Sequence, residues 1–172
     1  FNFYKKRYKR IPIQINLTII SDNLTAIDSL GYVYQLNKES GKINWAKNYG
    51  IPFRSNIKSA NGNIFLVSQD NKFLSILQSS GEKKVDLLTK TSFLKTDKKN
   101  NISLDKNKKN LYFINSSGEL YSINYERNNI NWIFNSNISS KKDSDLFFAA
   151  PIVYDNNEII VSTSISTYSL DA

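Results

Sequence analysis

Acid–base and metal chemistry need ionisable side chains held in pairs or clusters, and this chain spreads its carboxylates thinly. Asp22, Asp28, Asp70, Asp105 and Asp155 stand one to a turn, among Asn, Ser and Gly. An Asp in that setting usually binds its own backbone amides, so each reads first as a turn residue. The chain has no His and no Cys. That removes the commonest general base and metal ligand, thiolate metal sites, disulfides and a Cys nucleophile. No Gly-rich phosphate loop, carboxylate pair or Ser/His arrangement is visible. The expectation is a non-catalytic chain with no catalytic residue, no metal site and no cofactor.

The cations are the other candidates. Lys and Arg total 23 against 15 acidic residues, a net charge of +8, and a basic chain can seek nucleic acid or an anionic surface. The excess is nearly all Lys, beside heavy use of Asn, Ile, Ser and Tyr, which is the codon drift of an AT-rich genome. The clusters are Lys5 to Arg10, then Lys95, Lys98 and Lys99, then Lys106, Lys108 and Lys109, then Lys141 and Lys142. A solvated face accounts for most such runs. Lys95, Lys98, Lys99, Lys141 and Lys142 fall in connections between repeated units and are kept as candidates for an anionic protein partner or membrane surface. Base-stacking aromatics are not interleaved with them, so nucleic acid is not expected. In "GIPFRSN", Phe53 and Arg54 are residue types enriched at protein hot spots. The alternative is a Phe53 ring packed inside and an Arg54 paired locally. The connection "NSNISSKKDSDLFFAAP" exceeds usual loop lengths and is either a binding loop or an insertion.

Short β-rich runs must position these residues. Hydrophobic residues make up 40% and aromatics 13%, enough for a packed core, and no apolar run approaches the roughly 20 residues of a bilayer helix. Helical periodicity is nearly absent. Runs such as "NLTII", "YVYQL", "NIFLV", "FLSIL", "LYFIN" and "EIIVS" alternate with turn formers such as "SDN", "SLG", "ESGK" and "SSG". That pattern predicts an all-β, antiparallel chain. The chain begins with Phe, shows no signal-peptide pattern and stops inside a repeat, so it is expected to be a piece of a longer protein.

Repetition organises these runs. "GYVYQLNKESGKINW" at residues 31–45 returns as "GELYSINYERNNINW" at residues 118–132. Superposing them puts Leu36 on Ile123, and the same frame puts Ile76 and Leu170 at equivalent positions, roughly 40 to 47 residues apart, the period of a four-stranded propeller blade. The units run over residues 11–50, 51–90, 91–136 and 147–172, the last without its outer strand. The expected fold is a β-propeller of four-stranded antiparallel blades, about four in this chain and part of a ring of about eight. Gly41 and Gly81 stand where a tight turn needs φ > 0, with Asn128 in the third copy. Trp45 and Trp132 lie on outer strands, where a large ring covers the neighbouring sheet. Tyr34, Leu74, Tyr121 and Tyr168 share one register position and are expected to pack between sheets.

The copies are variations on small-x-Asp-x-x-Thr-Gly-Lys-x-x-Trp, with Gly41, Lys42 and Trp45 in the first, Gly81 in the second, and Gly118 and Trp132 framing the third. This pattern resembles the PQQ-like, quinoprotein-type β-propeller repeat. The run "NWAKNYGIPFRSNIKSANGNIFLVSQDNKFLSIL" is similar to the BamB-like propellers of outer-membrane β-barrel assembly. Departures are Gln35 at the small position, Asn37 and Asn124 for Asp, Asn128 for Gly and Val85 for Trp. The resemblance implies a non-catalytic scaffold that assists assembly of outer-membrane β-barrel proteins. It also implies a protein partner from that machinery, a periplasmic or outer-membrane-associated location with a lipid anchor, and no small-molecule substrate. Two other roles share the architecture. A quinoprotein dehydrogenase would hold its calcium ligands and catalytic Asp in other blades, and a generic interaction hub of WD type would carry Gly-His and Trp-Asp signatures. Because the repeated residues read as hinge and clamp, function is expected in the loops that do not repeat.

Overall fold

The computed structural model describes residues 12–87, 89, 101–135, 152–162 and 167–172. The chain divides into two compact units, one ending at Pro52 and one running from Phe53 to Ala172. The first unit is a single antiparallel sheet with β1 (Ile15–Ile20), β2 (Asn23–Asp28), β3 (Tyr32–Asn37) and β4 (Ile43–Asn48) in sequential order. Tight turns set this meander. Ser21 has φ +55° in the β1–β2 turn, Gly31 φ +88° in the next and Gly41 φ +66° in the third. Gly31 is required twice over, because a Cβ there would stand 2.7 Å from the Ile51 carbonyl oxygen.

The second unit holds three sheets. β5 (Lys58–Ala60), β6 (Asn63–Val67), β7 (Phe73–Leu77) and β8 (Lys83–Leu87) form one, and β9 (Ile102–Asp105), β10 (Asn110–Ile114), β11 (Glu119–Asn124) and β12 (Asn129–Asn135) form the next. The last has three strands among the described residues: β13 (Val153–Asp155), β14 (Glu158–Ser162) and β15 (Thr167–Asp171). The sequence pattern expects the first strand of the β5–β8 sheet over 54–59, but the ladder is interrupted there. Phe53 makes an isolated bridge to Ser68, and the Ser55 hydroxyl accepts the Val67 amide at 2.8 Å in place of a backbone carbonyl.

Strand alternation gives the β9–β12 sheet two apolar faces, and both are used. On one face Ile102, Leu111, Phe113, Tyr121 and Ile123 pack with Phe65, Val67 and Phe73 of the preceding sheet. There the Phe73 and Phe113 rings lie 6.4 Å apart. On the other face Tyr112, Ile114 and Leu120 pack with Ile152, Ile159 and Val161, flanked by Trp132, Phe134, Tyr154, Tyr168 and Leu170. Each fully buried Leu, Ile or Phe here stabilises by roughly 1.5–3 kcal/mol, which makes these layers the main source of cohesion in the second unit. Polar side chains fix their alignment. Asn56 donates to the Ile102 carbonyl at 3.2 Å and accepts the Ile102 amide at 2.7 Å, and the Ser103 hydroxyl accepts the Tyr154 amide at 3.0 Å.

Candidate functional site

Several buried polar residues gather at the hairpins joining the second and third strands of the first three sheets. In the first unit, Asp28 Oδ1 accepts the Leu30 and Tyr32 amides, each at 2.9 Å, and Oδ2 accepts the Tyr34 hydroxyl at 3.1 Å. In the β10–β11 hairpin, Asn115 Oδ1 accepts the Ser117 and Glu119 amides, each at 2.9 Å. Its amide donates to Glu119 Oε2 at 2.9 Å, which also accepts the Tyr121 hydroxyl at 2.8 Å. In the β6–β7 hairpin, Ser68 Oγ accepts the Lys72 amide at 3.1 Å and bonds Asp70. Asn71, buried with φ +66°, reaches the next hairpin. It donates to Ser116 Oγ at 2.7 Å, accepts the Ser116 amide at 3.1 Å and takes the Thr89 hydroxyl on its carbonyl.

These acids hold turns, and their electrostatics follow from that work. Asp105 Oδ1 accepts the Asn107 and Lys108 amides at 2.9 and 3.1 Å. The Asp105 carboxylate, reinforced by desolvation, pushes the Tyr154 phenol up to about 12. Burial alone pushes the Tyr49 phenol up to about 12. Lys38 bonds Asp22 at 2.8 Å and holds its carboxyl below the usual range, though both are exposed. Asp155 is exposed at the end of β13. Among the described residues, no three His, Cys, Asp or Glu side chains come together to hold a metal ion.

The motif residues occupy the turn into the outer strand. Gly41 and Gly81 have φ +66° and +67°, and Asn128 takes the same left-handed conformation at +57°. Asn is the side-chain-bearing residue that tolerates it most readily. Lys42 is exposed while its carbonyl accepts the Asn37 amide at 2.8 Å. Gly118 lies in the β10–β11 hairpin with φ +78°. Trp45 is half-buried and donates from Nε1 to Gln35 Oε1 at 2.9 Å. Trp132 is half-buried and stacks on Tyr112 at 6.1 Å.

One repeated residue escaped the sequence reading. A bulge interrupts the pairing of the third and fourth strands between Gln35 and Leu36, between Ser75 and Ile76 and between Ser122 and Ile123. In the first and third copies the extra residue is the Asn of Ile-Asn-Trp. Asn44 donates across the sheet to Asn23 at 2.7 Å, and Asn131 does the same to Asn110 at 3.0 Å. The signal was the Asn itself, kept beside Trp in both copies.

The candidate contact residues fare unequally. Phe53 is 3% exposed, so its ring is packed inside and offers nothing to a partner, while Arg54 is half-buried. Lys95, Lys98, Lys99, Lys141 and Lys142 lie outside the described residues, as do residues 1–11 and 136–151. In the β9–β10 turn, Lys106 is exposed, Lys108 donates to the Ala172 carbonyl at 2.7 Å and bonds Asn157, and Lys109 lies 3.6 Å from Glu126.

No protein-family model matches the chain, and no curated protein matches it by sequence. Solved structures do. BamB from Moraxella catarrhalis superposes with a TM-score of 0.68 at 7% identity, over 91% of this chain and 45% of BamB. The fold is that of a β-propeller. The computationally designed Ika4 protein superposes with a TM-score of 0.73 at 8% identity, over 94% of this chain and 92% of that one. The chain therefore spans less than half the length of BamB and nearly all of Ika4, and at these identities the likeness is one of fold.

Proposed function

We propose that this chain is a non-catalytic protein-interaction scaffold, and that it serves, as BamB-like propellers do, in the assembly of outer-membrane β-barrel proteins at the periplasmic face of that membrane. One observation carries the reading: the buried carboxylates of Asp28 and Glu119 are engaged by the amides or side chains of their own hairpins, and Asp105 accepts two amides of its own turn through Oδ1. That leaves the exposed turns and the outer strand edges as the surface that can act. The resemblance of the Gly-Lys-x-x-Trp copies to quinoprotein-type repeats, and the fold likeness to BamB, support a partner from the barrel-assembly machinery. An outer edge such as that of β4 or β12 offers backbone groups to an extended partner segment, which would add as a further strand.

The test is affinity capture from Gram-negative envelope extracts on the tagged full-length protein, with cross-linking at the β4 and β12 edges. A barrel-assembly protein should be enriched and cross-linked at one of those edges. Enrichment no greater than on an unrelated propeller would refute the reading.

A further inference from the structure

One hairpin tip in the second unit carries a reactivity that its role as a turn leaves unused. β5 and β6 are joined by Asn61 and Gly62, with φ +50° and +70°, the left-handed pair of a two-residue hairpin loop. Turn geometry accounts for the presence of this pair, which is the one Asn-Gly step in the sequence. The same step places a side-chain amide beside a backbone nitrogen that no side chain shields. Both residues are exposed, and a Cβ built on Gly62 would meet nothing within 4 Å. Ala60 pairs with Asn63 across the tip, and the Gly62 carbonyl accepts the Gln78 amide at 2.9 Å. The Gly62 amide itself makes no hydrogen bond among the described residues.

The tip is also tied to the neighbouring sheet. Asn61 Nδ2 donates to Glu126 Oε1 at 2.6 Å, from the β5–β6 loop to the loop between β11 and β12, and Lys109 Nζ stands 3.6 Å from the same oxygen. Other side chains bond these two sheets in shelter: Asn71 to Ser116 is buried and Asn56 to Ile102 is half-buried, whereas Asn61 to Glu126 is exposed. Asn is among the thermally labile residues. We propose that Asn61 is a site of spontaneous deamidation and that Glu126 restrains the reaction. The Gly62 nitrogen attacks Asn61 Cγ; an N–Cγ bond forms, the Cγ–Nδ2 bond breaks, and the Gly62 proton leaves with Nδ2 as ammonia. Water then opens the resulting succinimide at either carbonyl, giving aspartate or isoaspartate. Ring closure needs the side chain and backbone of residue 61 to rotate toward each other, and the bond to Glu126 opposes that rotation. The product sets a carboxylate where an amide donor met Glu126, so an attraction becomes a like-charge contact. Isoaspartate also lengthens the backbone of a two-residue loop. The reaction thus unties this end of the seam irreversibly, while the buried Asn71–Ser116 tie beyond the far end of β6 remains.

Peptide mapping by mass spectrometry, on the folded chain incubated at neutral pH and sampled over weeks, tests this. Isoaspartate is expected at residue 61 of the folded chain, forming more slowly there than in the same chain unfolded in guanidinium. Glu126→Ala removes an exposed acceptor, so circular dichroism is unchanged. Formation at residue 61 should then quicken on the order of 5-fold, the factor that one net hydrogen bond represents. Glu126→Gln keeps an oxygen for the Asn61 amide and should stay near the wild-type rate. A folded wild type that forms no isoaspartate at residue 61, or forms it as fast as the unfolded chain, overturns the proposal. So does a Glu126→Ala rate equal to that of the wild type, or a Glu126→Gln rate as fast as that of Glu126→Ala. No barrel-assembly protein enters these measurements, so their failure is separate from failure of the scaffold reading.

Discussion

The hairpins at Asp28 and Asn115 build one backbone turn from two distributions of charge. In both, an Asx oxygen accepts two amides at 2.9 Å and a Tyr hydroxyl closes the cluster. In the first unit a single carboxylate does everything. In the β9–β12 sheet the acceptor is a neutral amide and the charge has moved to Glu119, which takes both the amide hydrogen and the phenol. Repetition therefore conserves the geometry of the acceptor, while the position of the charge is free to drift as long as each donor finds an oxygen. The apolar positions differ in the opposite way. Leu17 and Ile102 are chemically alike and share a register position, yet one is bare and the other sealed.

The widest gap is expected between those two. Ile102→Ala should cost about 2–5 kcal/mol by cavity formation, and Leu17→Ala under about 0.5 kcal/mol, both read by urea denaturation. Equal costs would mean that Leu17 is covered within the chain and would erase the contrast.

The glycines of the first unit come next. Gly31→Ala meets both the strained φ and the Ile51 carbonyl, at roughly 2–4 kcal/mol. Gly41→Ala meets open space and pays only the left-handed conformation, at roughly 1 kcal/mol. A Gly41→Ala variant as damaged as Gly31→Ala would show that close approach is not what sets Gly31 apart.

Exchanging the hairpin acids sharpens the first comparison. Asn115→Asp sets a second carboxylate beside Glu119 and should cost about 1–3 kcal/mol at neutral pH. Like-charge repulsion raises the folded pKa of the pair, so the loss should shrink as pH falls and one carboxyl takes a proton. Asp28→Asn keeps one oxygen for the Leu30 and Tyr32 amides but replaces the acceptor of the Tyr34 hydroxyl with an NH2 donor; it adds no charge, so whatever it costs should lack that acid recovery. Matching pH profiles for the two variants would show that charge position is immaterial.

The mildest effect is alkaline. Tyr49 and Tyr154 titrate near 12 in the fold against 10.0 for a free phenol. A raised phenol pKa means the neutral form is favoured by folding. Its contribution is therefore whole below pH 10 and fades as pH climbs toward 12. Tyr49→Phe and Tyr154→Phe should each flatten the fall in denaturation midpoint over that window, one reporting on each unit. A slope identical to the wild type in both variants would assign the fall to lysine deprotonation instead.

Much of this was legible in the chain itself. The period, the all-β class, the left-handed turn at Gly41, Gly81 and Asn128, and the turn role of the isolated Asp residues follow from local chemistry. Glycine freedom, Asx hydrogen bonding and side-chain alternation all act within a few residues. Phe53 was legible only as a choice between a contact and a core residue, because burial depends on strands far away in sequence. The bulge and its Asn44–Asn23 bond were invisible for a related reason: a strand's register is set by its partner, and a single extra residue leaves the apolar pattern nearly intact.

By itself, then, the sequence determined the units that repeat and the backbone conformations their turns demand, since those energies are local. The tertiary structure alone decided which apolar faces are sealed and which stay open, because covering a sheet takes another sheet. Leu17 and Ile102 lie at one register position, and only the packing of the preceding sheet makes one of them core.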